Sequence, residues 1–139
     1  MTPPVFRAVA HPWHCDVMGH VTTRHYVAMF DDASYHALHA IFGWSGADAG
    51  ANGIGMVDVR QEIDFNAEVK AGDLLEIHAR LEKLGGKSAS IGYEMVNLTR
   101  DESAARLLQV IVCFDMNSRK AIPWPDDMRE NAESFLATT

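Results

Sequence analysis

The chain has 139 residues, of which 47% are hydrophobic and 22% are charged, and its formal net charge is −7. This is the composition of an ordinary globular protein, and the length fits one domain, residues 1–139, around a single core. The negative charge argues against a nucleic-acid partner, and no apolar run reaches the roughly 20 residues needed to span a membrane.

The N-terminal residues contain neither the basic segment nor the apolar stretch of a secretory signal. The two cysteines, Cys15 and Cys113, are too few for a disulfide framework and match no zinc-binding spacing. We therefore expect a cytoplasmic protein.

The first predicted element is a strand over residues 5–13 that is broken near Pro12, because proline has no backbone N–H to donate. After a short loop, apolar residues recur at three- and four-residue steps and predict one long helix. Thr22 or Thr23 is its expected N-cap, and Gly43 its expected stop. At 1.5 Å per residue, about twenty residues make a helix of ~30 Å. The recurring residues are Tyr26, Val27, Phe30, Ala33, Ala37, Leu38 and Ile41.

Beyond a loop predicted for residues 44–55, apolar and polar residues alternate, which predicts four strands with one buried face each. Turn signals at residues 71–73, 85–86 and 100–101 separate these strands, and a short helix is expected after Pro125. The residues predicted to be buried are Val57, Val59, Ile63 and Phe65; Leu75, Ile77, Ala79 and Leu81; Ala89, Ile91, Tyr93 and Met95; and Leu108, Val110, Val112, Phe114 and Met116.

This order of elements predicts an α+β fold. The elements are one strand, one long helix and four antiparallel strands of matching length. A sheet that wraps the helix buries the apolar face of the sheet against the apolar face of the helix. We therefore expect a five-stranded antiparallel sheet curled around one long central helix.

Polar side chains are concentrated just before the predicted helix. A helix N-terminus presents unpaired N–H groups and a partial positive charge, which stabilise negative charge developing on a carbonyl oxygen. A carboxylate on the preceding loop can attack that carbonyl or activate a water molecule. Asp16 is therefore a candidate catalytic residue for hydrolysis of an activated acyl group, and its alternative role is to cap a turn.

The same segment contains His11, His14 and Cys15 beside Asp16, which raises the question of a metal site. If residues 5–14 are extended, His11 and His14 point to opposite faces of the strand. Their spacing also fits no zinc-binding pattern. We therefore predict no metal.

Residues 16–26 read Asp-Val-Met-Gly-His-Val-Thr-Thr-Arg-His-Tyr. They resemble the aspartate motif of the 4-hydroxybenzoyl-CoA thioesterase family, which runs roughly Asp-x-x-Gly-His-Val-Asn-Asn-x-x-Tyr. The similarity continues through residues 30–34, 63–65, 71–75, 85–88 and 113–123, so that it covers nearly the whole chain in the right order.

The resemblance implies the hot-dog fold and a hydrolase that releases a carboxylic acid and free CoA from an acyl-CoA, without a metal or organic cofactor. It also implies a homodimer formed by joining two sheets, with active sites at the dimer interface. Pairs of such dimers often form homotetramers in this family. No membrane partner is expected.

The resemblance further implies roles for individual residues. Asp16 matches the catalytic nucleophile or general base, and the backbone N–H of Thr23 matches the donor that polarises the thioester carbonyl. His20 either shapes and polarises the site or is only a structural residue of the turn. The residues expected to bind substrate are Gly19, Thr22, Tyr26, Asp31 and Met56, and those expected to meet CoA are Lys83, Lys87 and Ser88.

Two departures from the family pattern concern the substrate. Thr22 and Thr23 replace the Asn-Asn pair of many members, and Met56 stands where the hydroxybenzoyl branch has a hydroxyl residue. Asp31 matches the acid that binds the substrate hydroxyl in that branch, although such acids near a helix start are usually solvated. Lys83 and Lys87 flank a hairpin, where charged residues are commonplace.

The acyl group and the reaction class have alternatives. Asp31 with the aromatic residues Phe30, Tyr35 and Trp44 suggests either a hydroxyaromatic acyl group or a cationic, betaine-like one. A protein that binds acyl-CoA without cleaving it is one other possible function, against which Asp16 argues. A hydratase or dehydratase is another, but the chain has no second acid–base motif for it.

Overall fold

The computed structural model describes residues 3–138. Its helices are α1 (Thr23–Phe42), α2 (Gly46–Ala51) and α3 (Asp126–Thr138). Its strands are β1 (Phe6–Val9), β2 (Ile54–Phe65), β3 (Leu74–Leu84), β4 (Ser88–Asn97), β5 (Glu102–Asp115) and β6 (Lys120–Ala121). Neighbouring strands follow the order β1-β3-β4-β5-β2, and the short β6 pairs with β5. This is the predicted α+β architecture of one long helix and an antiparallel sheet.

Strand β2 is early in the chain but pairs with β5, which is late. The N–H of Met116 donates to the carbonyl of Gly53 (2.7 Å), and the N–H of Asn66 donates to the carbonyl of Ala104 (2.9 Å). Partner numbers fall on β5 as they rise on β2, so the two strands are antiparallel. Because β2 is last in the strand order, its other edge has no neighbouring strand among residues 3–138.

Helix α1 confirms the predicted start and stop. The carbonyl of Thr22 accepts hydrogen bonds from the N–H groups of His25 and Tyr26, and Gly43 donates its N–H to His39. Gly43 has φ +71°, a left-handed conformation that disfavours any residue with a Cβ atom. The side chain of Thr22 does not cap the helix, because its buried Oγ1 has no hydrogen-bond partner within residues 3–138.

Two boundaries differ from the prediction. The first strand ends at Val9 and not at residue 13, because a 3-10 turn over Pro12–His14 follows it. The loop predicted for residues 44–55 contains helix α2. A capping interaction explains that helix, since the Asp48 carboxylate accepts the N–H of Ser45 at 2.7 Å.

The chain divides into two compact units, and α1 and the four long strands contribute residues to both. The first unit comprises Met1–His36, Ile63–Ala79 and Tyr93–Leu107. Its core places the ring of Phe30 from α1 edge-on to Tyr93 from β4, with ring centroids 6.4 Å apart. The other buried apolar residues of this unit include Val21, Tyr26, Met29, Ala33, Val69, Leu75, Ile77, Ala79, Met95 and Leu107.

The second unit comprises Ala37–Glu62, Arg80–Gly92 and Leu108–Thr139. In its core the rings of Phe42 and Trp124 stack with centroids 4.4 Å apart. Asn131 of α3 donates to the carbonyl of Phe42 at 3.1 Å, which satisfies one of the carbonyls left open at the end of α1. Other buried apolar residues here include Leu38, Ile41, Trp44, Leu81, Ala89, Ile91, Ile111, Cys113 and Met128.

Burial confirms the predicted faces of β3 and β4 and corrects those of β5 and β2. From residue 107 onward the buried residues of β5 are Leu107, Gln109, Ile111 and Cys113, one position out of step with the prediction, and Ala104 and Ala105 are buried before them. Both faces of β5 are rich in apolar residues, so alternation alone does not select one. On β2 the predicted core residues Val57, Val59 and Phe65 are exposed and Ile63 is half-buried, so the predicted buried face of this strand is wrong.

Candidate active site

The segment before α1 folds back on itself as a tight turn. The N–H of Asp16 donates to the carbonyl of His20 at 3.0 Å, and the N–H of Thr22 donates to the carbonyl of His14 at 2.9 Å. Because Thr22 directly precedes the first helical residue, these bonds tie the Asp16 segment to the start of the helix. The predicted catalytic aspartate and the helix N-terminus therefore belong to one hydrogen-bonded unit.

The Asp16 side chain also supports its own turn. Its Oδ1 atom accepts the N–H of Met18 at 2.8 Å, and Gly19 completes the turn with φ +82°. A carboxylate that accepts the amide two residues ahead is a common turn-forming arrangement. The other carboxylate oxygen of this half-buried residue makes no hydrogen bond within residues 3–138. Asp16 therefore does cap its turn, as the alternative role predicted, and its second carboxylate oxygen remains available to attack a carbonyl carbon or to accept a proton.

Helix α1 supplies N–H donors beside this turn. Its first amides, those of Thr23 and Arg24, precede the first intrahelical hydrogen bond, which the N–H of His25 makes to Thr22. Such amides have no partner inside the helix and carry the positive end of its dipole. They are suited to an oxygen atom that gains negative charge during a reaction.

His20 is held by a residue that the sequence did not indicate. Its Nε2 atom lies 3.0 Å from a carboxylate oxygen of Glu68, and its backbone bridges to Lys70. The next residue, Val21, donates its N–H to the carbonyl of Val69 at 2.8 Å. Residues 67–70 therefore brace the turn. No local pattern marks Glu68, because the pairing joins positions far apart in the sequence.

Tyr26 is a core residue of the first unit. Its hydroxyl donates to the carbonyl of Ala67 at 3.5 Å, and its ring lies edge-on to Phe65 with centroids 5.2 Å apart. Burial raises the pKa of the Tyr26 hydroxyl. The side chain thus fixes the first turn of α1 against residues 65–67.

The rings of His11, His14 and His25 form a cluster next to the turn. This corrects the expectation that His11 and His14 point to opposite faces. The 3-10 turn brings them together, and the N–H of His11 donates to Nδ1 of His14 at 2.9 Å. The rings of His14 and His25 lie 5.0 Å apart. Burial, with the neighbouring charges of His25 and His11, lowers the pKa of His14. Among residues 3–138 no three potential ligand side chains are grouped for a metal ion.

The predicted aromatic surroundings of Asp31 are wrong in two of three positions. Phe30 is buried in the core of the first unit, and Trp44 is buried in the second, where its indole N–H donates to Ile54 at 2.9 Å. Asp31 and Tyr35 are both exposed on α1. Proximity to Asp31 in sequence does not predict which of these aromatic side chains are buried in the core.

The remaining predicted site residues lie in the second unit. Met56 is half-buried on β2. Lys83 and Lys87 are exposed, and Ser88 begins β4, with its carbonyl accepting the N–H of Gly85 at 2.8 Å. Lys83 lies near the end of β3, so the three candidate CoA residues belong to one β3–β4 hairpin.

Comparisons with known proteins agree with this architecture. A family model described as the thioesterase-like superfamily matches residues 10–132. The long-chain acyl-CoA thioesterase FadM of Escherichia coli (strain K12) is 27% identical over 126 residues, which cover 89% of this chain and 92% of that protein.

Solved structures share the fold. The hypothetical protein SAV2348 from Staphylococcus aureus, in complex with CoA, gives a TM-score of 0.89 at 11% identity, covering 95% of this chain and 82% of that one. The DHNA-CoA thioesterase from Staphylococcus aureus gives a TM-score of 0.84 at 19% identity, and the match covers 95% of this chain and 89% of that one. These likenesses confirm the predicted hot-dog fold. No helix among the described residues is long and apolar enough to cross a membrane.

Proposed function

Because the chain belongs to the thioesterase-like superfamily, we propose that it hydrolyses acyl-CoA thioesters to a carboxylic acid and free CoA. The family match confirms the resemblance seen in the sequence and the expectation of a thioester hydrolase. One observation carries the proposal: the matched residues 10–132 include the turn in which Asp16 is hydrogen-bonded to the start of a long helix.

Asp16 is the proposed nucleophile or general base. As a nucleophile, its carboxylate oxygen bonds to the thioester carbonyl carbon while the C–S bond breaks and CoA leaves as a thiolate. Water then hydrolyses the resulting anhydride and regenerates the carboxylate. As a general base, Asp16 takes a proton from a water molecule that attacks the same carbon, the C–S bond breaks, and the proton passes to the departing CoA sulfur. Neither route requires a metal or an organic cofactor.

The backbone N–H of Thr23 is the proposed donor to the thioester oxygen. Its support is the position of Thr23 as the first residue of α1, where an amide has no intrahelical partner. Negative charge accumulates on the thioester oxygen as the carbonyl carbon becomes tetrahedral, and the helix dipole favours that charge. The amide therefore binds the transition state more strongly than the substrate.

Other predicted residues support this centre in our proposal. His20 is a positioning residue, because its contact with Glu68 holds the turn, and Tyr26 fixes the helix start from the core. Gly19 and Thr22 shape the approach to Asp16. Asp31 and Met56 remain proposed substrate contacts.

A fatty acyl chain is the proposed acyl group. Phe30 and Trp44 are buried and do not offer the aromatic contacts expected for a hydroxyaromatic or cationic group. By contrast, Trp13 is 70% exposed and Met18 is 72% exposed, on the segment that carries Asp16. The relative FadM is named for long-chain acyl-CoA. A panel of aliphatic, hydroxyaromatic and betaine-type CoA esters, scored by free-thiol release, tests this choice, and preference for either of the last two would refute it.

A homodimer is the proposed assembly, with a dimer of dimers as its extension. Strand β2 ends the strand order with its outer edge unpaired among residues 3–138, and Val57, Val59 and Phe65 are exposed on it. An exposed apolar edge strand invites pairing with another strand. A second copy of the same chain satisfies this edge symmetrically.

Replacement of Asp16 by asparagine tests the catalytic role. Asparagine keeps the oxygen that accepts the N–H of Met18, so the turn is retained while the negative charge is lost. We expect turnover to fall by about 10²–10⁴. The matched control is Asp115→Asn, since Asp115 accepts the N–H of Asn117 in the same way (3.1 Å) at the end of β5. Wild-type turnover in D16N would remove Asp16 from the mechanism.

A further inference from the structure

The turn between β3 and β4, residues 85–88, is held through its carbonyl groups by the C-terminal part of the second unit. Arg129, in the first turn of α3, donates from Nη2 to the carbonyl of Gly85 at 2.6 Å. The backbone N–H of Trp124 donates to the carbonyl of Gly86 at 3.2 Å. Arg129 and Trp124 thus donate hydrogen bonds to the carbonyls of two consecutive peptide groups.

The next two carbonyls are held as well. The N–H of Cys113 on β5 donates to the carbonyl of Lys87 at 2.9 Å, and the indole N–H of Trp124 donates to the carbonyl of Ser88 at 3.2 Å. All four carbonyls of the β3–β4 turn therefore have donors from residues 113–129. Arg129 supplies the only side-chain charge among these donors.

This arrangement fixes where the amides of the turn point. In a planar trans peptide the N–H is directed opposite to the C=O of the same peptide group. Because the carbonyls of Gly85 and Gly86 face Trp124 and Arg129, the N–H groups of Gly86 and Lys87 face the other way. Both amides are therefore donors that an anion approaching from that side of the turn can reach.

The amide of Gly86 is open to a ligand, and two exposed lysines are close to it in sequence. A Cβ atom built on Gly86 meets no atom within 4 Å, so a ligand can approach the backbone closely. Lys83 and Lys87 are exposed and take part in no ion pair among the described residues, whereas Arg80 and Arg129 each have a glutamate partner. These two lysines therefore offer positive charge to an anion at this turn.

We propose that Arg129 is a positioning residue that holds the β3–β4 turn in the shape that binds the phosphate groups of a CoA substrate. The inference rests on the proposed function for the identity of the ligand. Arg129 itself does not touch the substrate. It acts through the carbonyl of Gly85, and so determines the direction of the amide of Gly86 and the place of Lys87.

The experiment compares substrates with and without the nucleotide. The variants are Arg129→Met, which removes the donor but keeps most of the stem, and Arg129→Lys, which keeps a charged donor. The substrates are one acyl-CoA and the same acyl group on N-acetylcysteamine, which has no phosphate. For R129M we expect KM for the acyl-CoA to rise about tenfold, with kcat nearly unchanged, as for loss of a charged hydrogen bond. We expect kcat/KM for the phosphate-free thioester to stay at the wild-type value and R129K to recover most of the loss.

Two further measurements separate positioning from general destabilisation. The matched control is Arg106→Met, because Arg106 is paired with the carboxylate of Glu94 (2.8 Å) and its variant should leave both substrates unaffected. In the double variant with Lys87→Met, the effect of R129M should largely disappear, since both changes act on one site. Equal losses for both thioesters, or losses that add to those of K87M, would overturn the inference.

Binding of adenosine 3′,5′-bisphosphate, measured by calorimetry, keeps this inference distinct from the proposed hydrolase. The measurement needs no turnover. Weaker binding of the bisphosphate to R129M than to the wild type and R106M supports the role of Arg129, even in a protein that hydrolyses no thioester. Equal affinity in all three proteins would refute it.

Discussion

The side-chain amide of Asn97, at the end of β4, donates a 2.9 Å hydrogen bond to the buried carboxylate of Asp73, which precedes β3. The same carboxylate accepts hydrogen bonds from Arg100 (2.9 Å) and from the N–H of Lys70 (3.0 Å). Burial by itself raises the pKa of Asp73. The hydrogen bonds from Lys70, Asn97 and Arg100, with the charge of Arg100, outweigh burial and lower that pKa overall from 3.8.

Asp73 should therefore stabilise the fold at neutral pH and lose that effect in acid. A carboxyl whose pKa is lower in the folded state stabilises the protein above its unfolded pKa, and this contribution disappears as the pH falls through the folded pKa. For Asp73→Asn we expect unfolding free energy to drop by about 2–3 kcal/mol at neutral pH, since a buried charge-assisted network is broken. Urea titrations at neutral pH and near pH 3 measure the difference, which should shrink in acid.

The control for that variant is Asp101→Asn. Asp101 is exposed and has φ +54°, a conformation that asparagine also adopts readily. D101N should be as stable as the wild type. A cost for D73N that is the same at both pH values would show that the charge of Asp73 does not stabilise the fold.

Two glycine-to-alanine substitutions should change stability in opposite directions. Gly43→Ala forces a Cβ atom into a left-handed conformation, 3.0 Å from Nδ2 of Asn131, and should cost about 1–2 kcal/mol. Gly50→Ala lies inside α2 with no atom within 4 Å of the new Cβ, and should stabilise by about 0.5–1 kcal/mol. Thermal unfolding followed by circular dichroism measures both shifts. A lower melting temperature for G50A would contradict the second expectation.

The two cysteines should differ in reactivity. Burial raises the pKa of Cys113 to about 11, so its thiolate is scarce at neutral pH, and its side chain is inaccessible. Cys15 is only half-buried. Iodoacetamide should label Cys15 alone in the native protein and both residues in urea, as mass spectrometry of peptides can establish. C15S should then show no native labelling, and early labelling of Cys113 would mean that β5 opens readily.

Strand β2 supplies the test of the proposed dimer. Val59 is 58% exposed on this edge strand. Val59→Lys places like charges close together if two β2 strands pair, so the mass in solution should fall to that of one chain. Light scattering coupled to size-exclusion chromatography measures the mass. Leu98→Lys, an equally polar change at an exposed leucine after β4, should leave the dimer intact.

Local signals in the sequence predicted much of the fold. The spacing from Tyr26 to Ile41 predicted α1, and Gly43 predicted its end, because helix period and helix stops depend on neighbouring residues. The sequence could not predict which face of β5 is buried. Leu107 and Leu108 are both apolar, and only packing in the sheet determines which of them faces the core. The exposure of Val59 depends on whether another element covers that face of β2, which alternation does not encode.

The candidate site divides in the same way. The turn around Asp16 and the helix start at Thr23 are local features, and the motif indicated both. The contact of His20 with Glu68 and the grip of Arg129 on Gly85 join distant parts of the chain, so no spacing revealed them. Proximity in sequence predicts Trp44 at the site, but this large apolar ring is buried in the core of the second unit.

The strand order has a consequence for synthesis of the protein. Residues of β2 leave the ribosome well before those of β5, their hydrogen-bonding neighbour, and at 5–20 residues per second the interval lasts about 2–10 s. The β3–β4 hairpin can form during that interval, whereas β2 waits with both edges open and its valines in water. A nascent chain arrested before residue 102 should therefore be bound by holdase chaperones through residues 54–65, and emergence of β5 from the ribosome should release it.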